Sequence, residues 1–505
     1  MWLSVVFQWA FYLLLLAAAV VGVLFLAYCA YVQYIHMKFD HIPGPPRDSF
    51  LLGHIPTLKK AMENDKLIHD LFLQLAEEYG PVFRINTLHR VMITSTCPES
   101  VKEYLMNPKY PKDPYTYNRL SGLFGKRFMG RGLITDPDHD HWYKQRRIMD
   151  PAFSKQYLMQ MFKVFNEKAE FLMEQLEEKA EAKEAVSLHK LINCVTLDVI
   201  TKVAFGMDLD LVEGNKSDFP GAITTALKGM MHYMQDPFME YLPKHRAFVR
   251  EVHESVELLR KTGRECIAKR KQAMLNGEEL PKDILTKILQ SAEQENGLDD
   301  EVMLDNFCTF FVAGQETTAN QLSFTVMELC RQPEITQRLR EEVDEVLGFR
   351  RDINFEDITN LKYMTQVLKE SLRFYPPGPG TNRYVVEDTV IEGIRIPKGV
   401  AITFSTYVMG RMAKFFPDPF KFDPERFHPS AEKPYYCYFP FALGPRSCLG
   451  QVFSQLEAKV VLSKLIQRFE FELVPGQSFD IMDTGTLRPR DGVVCTLKSR
   501  VVSSK

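Results

Sequence analysis

No lysine, arginine, aspartate or glutamate occurs before Lys38. The stretch 11–32 inside this charge-free segment is almost wholly apolar and long enough to cross a bilayer as a helix. Trp2, Trp9 and Tyr12 lie toward one end, and Tyr28, Tyr31 and Tyr34 toward the other, as interfacial aromatic belts do. Basic residues begin at Lys38 and Arg47, which places the C-terminal side in the cytosol. The competing reading is a cleaved signal peptide. That needs a basic start and a shorter apolar run, and the chain has neither. The nine cysteines are odd in number and include no Cys-x-x-Cys. This argues against a disulfide framework or a zinc ribbon and fits a reducing compartment. No charge of one sign dominates: 62 Lys and Arg stand against 65 Asp and Glu, a net charge of -3. Nucleic acid and other polyanions are therefore not expected partners. No Pro/Ser/Gly-rich linker divides the middle, and no repeat recurs. The 505 residues read as an anchor (1–37), a Pro-rich hinge (38–50) and one large domain (51–505).

The hinge holds His41-Ile-Pro-Gly-Pro-Pro-Arg47, a stiff non-helical segment that reads as a device setting how the domain sits on the membrane, or as an ordinary Pro-rich linker. Apolar spacing predicts a helix over 65–79 and a hairpin from strands 82–85 and 91–94. A second strand-rich stretch is expected over 383–406, turning at Pro397-Lys-Gly399, and a third after Pro475-Gly476. Long helices are expected over 156–183, 246–273, 300–331, 334–347 and 449–468. The polar stretch 273–300 reads largely as exposed surface. The sum is a mainly α fold with a small β portion assembled from distant segments, preceded by one transmembrane helix.

Cys448 carries the chemistry. It sits in Phe441-Ala-Leu-Gly444-Pro445-Arg446-Ser-Cys448-Leu-Gly450, just before an apolar-periodic helix. Alone it reads as a buried free cysteine, the usual fate of an unpaired one. Its neighbours change that. A thiolate at a helix start can ligate a metal. Gly444 and Gly450 permit a tight turn and close approach to a flat ligand. Arg446 offers a guanidinium to an anion, and Phe441 a ring face to an aromatic surface. Together they suit a haem held by one thiolate.

A second segment, Ala313-Gly-Gln-Glu316-Thr317-Thr318, stands in the middle of an apolar helix, where a Glu and two Thr are costly. Thr317 can bond a preceding carbonyl and loosen the helix. By itself the segment reads equally well as a helix kink with one exposed acid. Beside a haem it provides a proton donor, Thr317, and a relay, Glu316. Trp142 and Arg146 lie one helical turn apart, and their N–H groups suit the carboxylates that haem would bring. Glu370 and Arg373, three apart, would alone be a surface ion pair of little worth.

The pattern Phe-x-x-Gly-x-Arg-x-Cys-x-Gly resembles the haem-ligand signature of the cytochrome P-450 monooxygenases, and the resemblance extends from about His41 to Leu497. It implies the cytochrome P-450 fold, with haem b on Cys448, whose thiolate favours O–O cleavage. It implies dioxygen as co-substrate and electrons from NADPH through NADPH-cytochrome P-450 reductase. Glu316 and Thr317 match the family's acid–alcohol pair. Trp142, Arg146, Arg383 and Arg446 match its propionate partners, with Phe441, Gly444 and Gly450 completing the cofactor loop. Glu370, Arg373 and Arg426 match a structural triad. Ala313, Gly378 and Thr486 fall where substrate is expected. Lys144, Arg147, Lys459 and Lys464 would lie near the face that receives the electron donor, although each reads equally well as part of a solvated helix face.

Within that family, 305–314, 324–333 and 404–412 resemble the vertebrate cholesterol 24-hydroxylases. This branch implies side-chain hydroxylation of a sterol, cholesterol to 24-hydroxycholesterol, at the endoplasmic reticulum membrane with the domain in the cytosol. The chain departs from it at Gln315, at the loop Tyr375-Pro-Pro-Gly378-Pro-Gly380 and at Pro445. The first two bear on substrate choice. The alternatives are the same chemistry on another lipid or xenobiotic, a haem-thiolate isomerase acting on peroxides without a reductase, or a non-catalytic haem- or sterol-binding protein. An intact Glu316 and Thr317 speak against the isomerase.

Overall fold

The computed structural model describes residues 2–500 except 64, 65, 237, 296 and 349, so Asp65 and Asn296 lie outside the described residues. Its first element is the helix Trp2–Lys38, long and apolar enough to cross a membrane. Apolar side chains along it, such as Phe7, Leu14, Val23 and Leu26, are exposed on all sides, as a helix surrounded by lipid requires. Its last turns are different. Val32 and His36 are buried, Tyr28 Oη lies 3.0 Å from His89 Nδ1, and His36 Nε2 lies 2.8 Å from the Leu88 carbonyl. The segment 38–50 continues this packing. Phe39 and Ile42 are buried, and the amide of Arg84 donates to Pro43 O at 2.8 Å. A Cβ on Gly44 would stand 2.6 Å from Arg84 O, so glycine is needed for that approach.

The hairpin that receives this segment pairs Val82–Thr87 with Arg90–Ser95 in antiparallel register, Val82 opposite Ser95. Arg90–Ser95 then pairs in parallel with Ala401–Ser405, and that strand antiparallel with Gly380–Tyr384. The four-stranded sheet thus joins segments some three hundred residues apart. A smaller sheet aligns Phe469–Leu473, Val494–Ser499 and the short strand Val186–Ser187. The rest of the domain is mostly helix.

The central helix Asp300–Arg331 organises it. From Val302 to Val312 every residue is buried, as is every one from Thr318 to Leu329. Packed against it are Leu188–Phe205, Lys362–Phe374 and Gln451–Arg468. Four of its hydroxyls, on Thr309, Thr317, Ser323 and Thr325, bond the carbonyl four residues earlier at 2.7–2.8 Å. They are satisfied inside the helix, which remains continuous.

Two sequence expectations need correction. The helix expected over 156–183 is broken into Lys155–Met159 and Phe162–Glu181. The amides of Gln160 and Met161 bond three residues back, to Tyr157 and Leu158, and that tightened turn lets Leu158, Met161 and Phe162 all be buried. Nor is 273–300 all surface. It contains the helix Ile284–Gln294, which buries Ile284, Leu285, Ile288, Leu289 and Ala292. Asp283 caps this helix and pairs with buried Arg270. The polar flanks hid a short run with helical spacing.

Glu370 and Arg373 are both buried and meet in a two-pronged contact, Nε to Oε2 at 2.7 Å and Nη2 to Oε1 at 2.8 Å. Arg426 Nε approaches the same carboxylate at 3.5 Å, and the Asp423 amide donates to it at 2.8 Å. Arg373 also donates to the carbonyls of Gly410 and Pro419. Two side chains therefore hold four chain segments in register. Arg373→Ala removes the two-pronged partner of buried Glu370, leaving it only the longer Arg426 contact and the Asp423 amide, and is expected to cost about 3–5 kcal/mol. The denaturant midpoint checks this; a loss within the range of a surface mutation would show the pair to be incidental.

Candidate active site

Beneath the central helix lies a cavity of about 360 Å³. Leu133, Phe153, Ile200, Phe310, Ala313 and Leu372 make its walls largely apolar. Thr317 lines it from the central helix, and Phe441, Arg446, Cys448 and Gly450 from the loop ahead of Gln451–Arg468. Gly378 lines it as well. The sequence-expected residues Ala313, Thr317, Gly378, Phe441, Cys448 and Gly450 thus share one space, although more than a hundred residues separate the two motifs.

The loop has its form for stated reasons. The amide of Cys448 donates to Phe441 O at 2.8 Å, closing the turn. Gly444 adopts φ +69°, and a Cβ there would stand 2.3 Å from the Leu105 carbonyl oxygen. Only glycine meets both demands. A Cβ on Gly450 would lie 3.9 Å from Cys448 Sγ. All nine cysteines are described, and only Cys448 is exposed; its open face is the cavity. Burial by the surrounding loop raises the thiol pKa, while the Gly450 backbone amide, Arg146 and Lys112 favour the thiolate. A ligand cation at the sulfur would complete that balance.

At one edge of the cavity positive charge accumulates. Arg446 stacks on the buried Trp142 ring at 3.9 Å and donates to Asp136 O at 2.8 Å. Arg146 donates to Ser447 O at 2.7 Å and pairs with exposed Asp150. Arg383 is buried, donates to Asn382 O and Thr381 Oγ1, and has no hydrogen-bond partner for Nη2. Lys112 also lines the cavity, its Nζ donating to Ile134 O at 2.8 Å. Sequence reasoning missed Lys112. It stands between Pro111 and Asp113-Pro114, which read as a turn, and no local signal points it inward.

Lys112, Arg383 and Arg446 have no carboxylate partner among the described residues. Burial first, and then their neighbouring positive charges, press down the pKa of Lys112, and that of Arg446 to about 10. A buried cluster of cations with an orphaned N–H fits a ligand carrying carboxylates. With a thiol facing the same cavity, the donor set fits a haem: Cys448 for the iron, and Trp142, Arg146, Arg383, Arg446 and Lys112 for the propionates.

Other expected residues lie elsewhere. Glu316 and Thr486 are not among the lining residues; Thr486 Oγ1 donates to Glu316 Oε2 at 2.7 Å. Gln315 is buried away from the cavity with Oε1 unpartnered. Two of the basic residues suggested for the donor face are used inside the fold, which corrects that expectation. Lys464 is fully buried against Glu170 at 2.8 Å, and Lys459 donates to Ile358 O at 3.0 Å. Arg147 pairs with Glu295, and Lys144 is half-buried.

Comparison with known proteins agrees with this geometry. The sequence model of the family described as Cytochrome P450 matches residues 43–497. Cytochrome P450 4d2 of Drosophila melanogaster is 28% identical over 483 residues, covering 91% of this chain and 94% of its own. Cytochrome P450 4F2 of Homo sapiens is 29% identical over 451 residues, with 85% and 84% covered. A Bifunctional cytochrome P450/NADPH--P450 reductase of Bacillus cereus is 31% identical over 463 residues, which span 90% of this chain and 42% of that protein.

The loop geometry gives a test that needs no ligand. Gly444→Ala is expected to cost about 1–3 kcal/mol in backbone strain alone, plus the clash with Leu105. Gly125 has φ +78° and open space around it, so Gly125→Ala carries the strain without the clash. Denaturant titration should show the larger loss at Gly444; equal losses would remove the Leu105 contact from the account.

Proposed function

The chain belongs to the cytochrome P450 family, and on that footing we propose that it is a membrane-anchored haem-thiolate monooxygenase that hydroxylates the side chain of a sterol, cholesterol to 24-hydroxycholesterol. The observation that carries the chemistry is the shared cavity of Cys448 and Thr317, with unpaired cations at its edge. Haem b, when bound, supplies activation of dioxygen with electrons derived from NAD(P)H, so that one oxygen atom enters a C–H bond and the other leaves as water.

The chain's own residues do the rest. Cys448 would hold the iron, its backbone fixed by the bond to Phe441. Lys112, Trp142, Arg146, Arg383 and Arg446 would hold the propionates. Leu133, Phe153, Phe310 and Leu372 exclude water and offer an apolar substrate its contacts. Thr317, whose hydroxyl bonds Ala313 O at 2.8 Å, lines the cavity and would hold a proton there. Glu316, the next residue, resupplies it.

The sterol reading is supported by the resemblance of 305–314, 324–333 and 404–412 and by the apolar walls, with Gly378 of the departing loop among them. The anchor helix, bare on its apolar faces, supports attachment to the endoplasmic reticulum membrane with the domain in the cytosol. NADPH-cytochrome P-450 reductase is the proposed electron donor. The fused relative carries such a reductase in its name.

Purified protein with reductase, NADPH and a panel of cholesterol, fatty acids and xenobiotics, read by mass spectrometry, tests this. A 24-hydroxylated sterol is expected. Product only from another lipid would transfer the same chemistry to that substrate; turnover without reductase would point to peroxide isomerisation; no product from any lipid would leave a carrier. Cys448→Ser is expected to abolish the red-shifted Soret band of the reduced carbon monoxide complex, and its persistence would falsify the ligand assignment. Thr317→Ala is expected to raise hydrogen peroxide release relative to hydroxylated product. Unchanged coupling would take Thr317 out of proton delivery.

A further inference from the structure

The Glu316–Thr486 bond is the end of a longer row. Thr486 Oγ1 accepts from Asn320 Nδ2 at 2.9 Å. Asn320, one turn along the central helix and fully buried, lies with Oδ1 2.8 Å from His189 Nε2. Direction follows from the donor inventory. A threonine hydroxyl has one hydrogen, so when it serves the carboxylate its oxygen accepts from the amide. Asn320 then turns its own oxygen to His189 Nε2, which donates to it in the tautomer that carries the hydrogen there; Asn193 Nδ2 also lies 3.1 Å from that nitrogen. In that tautomer every donor in the row points toward Glu316.

Three distant segments meet here. His189 stands at the start of Leu188–Phe205, its amide tied to Gly492 O at 3.1 Å. Asn193 Nδ2 braces it from the next turn, donating to the His189 carbonyl at 2.8 Å. Thr486 occupies the turn between the paired strands Ile481–Asp483 and Leu487–Pro489.

We propose that Thr486, Asn320 and His189 are positioning residues for Glu316, fixing its carboxylate through Oε2 so that Oε1 is the oxygen that exchanges protons. The proposal rests on the reading of Glu316 as proton carrier. The charged or titratable groups facing Glu316 are Arg488, on the strand after Thr486, and, at the far end of the row, His189. Burial raises the Glu316 pKa; the Thr486 hydroxyl and Arg488 oppose that by favouring the carboxylate. Burial lowers the His189 pKa and Arg488 adds to this, while the Asn320 contact opposes it; the neutral imidazole is favoured, and its hydrogen serves the row when it stands on Nε2.

Removing the hydroxyl removes a donor to the ionised form, so the Glu316 pKa must rise. The measurement is infrared spectroscopy of the ferric, substrate-free holoenzyme over a pH series, without turnover. The Glu316 carboxylic acid band is the one absent from Glu316→Gln. Thr486→Val is expected to shift its midpoint upward by about one unit. Thr486→Ser, which keeps the hydroxyl, should restore the parent midpoint. Asn320→Leu and His189→Phe should move it upward by less. An unchanged midpoint in Thr486→Val, or an equal shift in Thr486→Ser, overturns the proposal. Folding of each variant is read from its reduced carbon monoxide spectrum, and if Thr486→Val does not fold, Asn320→Leu decides the question. Glu316→Gln in the coupling assay is a separate test: unchanged peroxide release there removes the proton-carrier reading, whereas the infrared series decides the row itself.

Discussion

A helix buried on every side must satisfy its polar side chains against its own backbone or against equally buried partners. The Asp300–Arg331 helix meets this constraint at most of its buried polar side chains, Gln315 Oε1 excepted, and the rest of the domain is arranged around the solutions. Asp305, fully buried, takes Arg127 and Arg260 and the amide of Arg131. Asn306 pairs with Gln145 and with the Leu133 amide. Thr309, Thr317, Ser323 and Thr325 return to their own helix. Asn320 and Glu316 reach out to the Thr486 turn. The solutions at Asp305, Asn306, Glu316 and Asn320 recruit segments far away in sequence, and through them the helix fixes the cavity above Cys448.

The opposite wall solves a different problem, that of charge. Lys112, Arg383 and Arg446 repel one another in a place with little water. Such an arrangement persists only if the fold imposes it. The imposing elements are the strand Gly380–Tyr384, which carries Arg383, and the loop around Gly444, pressed to the Leu105 carbonyl. Trp142 lies under Arg446 as a flat apolar support. Binding a dianion there would offset the cost of gathering these cations and would link cofactor retention to folding.

Local signals were legible where chemistry and spacing coincide. Cys448 with its glycines and Arg446 could be read because turn geometry, ligand and charge occur within ten residues. Glu370 and Arg373 could be read because helical spacing brings them together. The break near Gln160 could not be read, since it follows from which side chains the neighbouring helices leave room for. Nor could the helix Ile284–Gln294, whose five apolar positions stand among polar neighbours. Lys459 and Lys464 were misplaced because a lysine's charge suggests solvent, whereas Glu170 and the Ile358 carbonyl lie within the reach of their stems.

By itself the sequence determined the long apolar N-terminal helix, the mainly helical character, the family and the thiol in its loop. These are properties of composition and of short spacing, which the backbone converts directly into structure. Tertiary structure alone decided that Lys112 faces the cavity, that Gln315 does not, and that Glu316 answers to Thr486, Asn320 and His189. Those outcomes depend on how helices and strands hundreds of residues apart are packed, and on the rule that a buried polar atom bonds whichever partner that packing brings within reach.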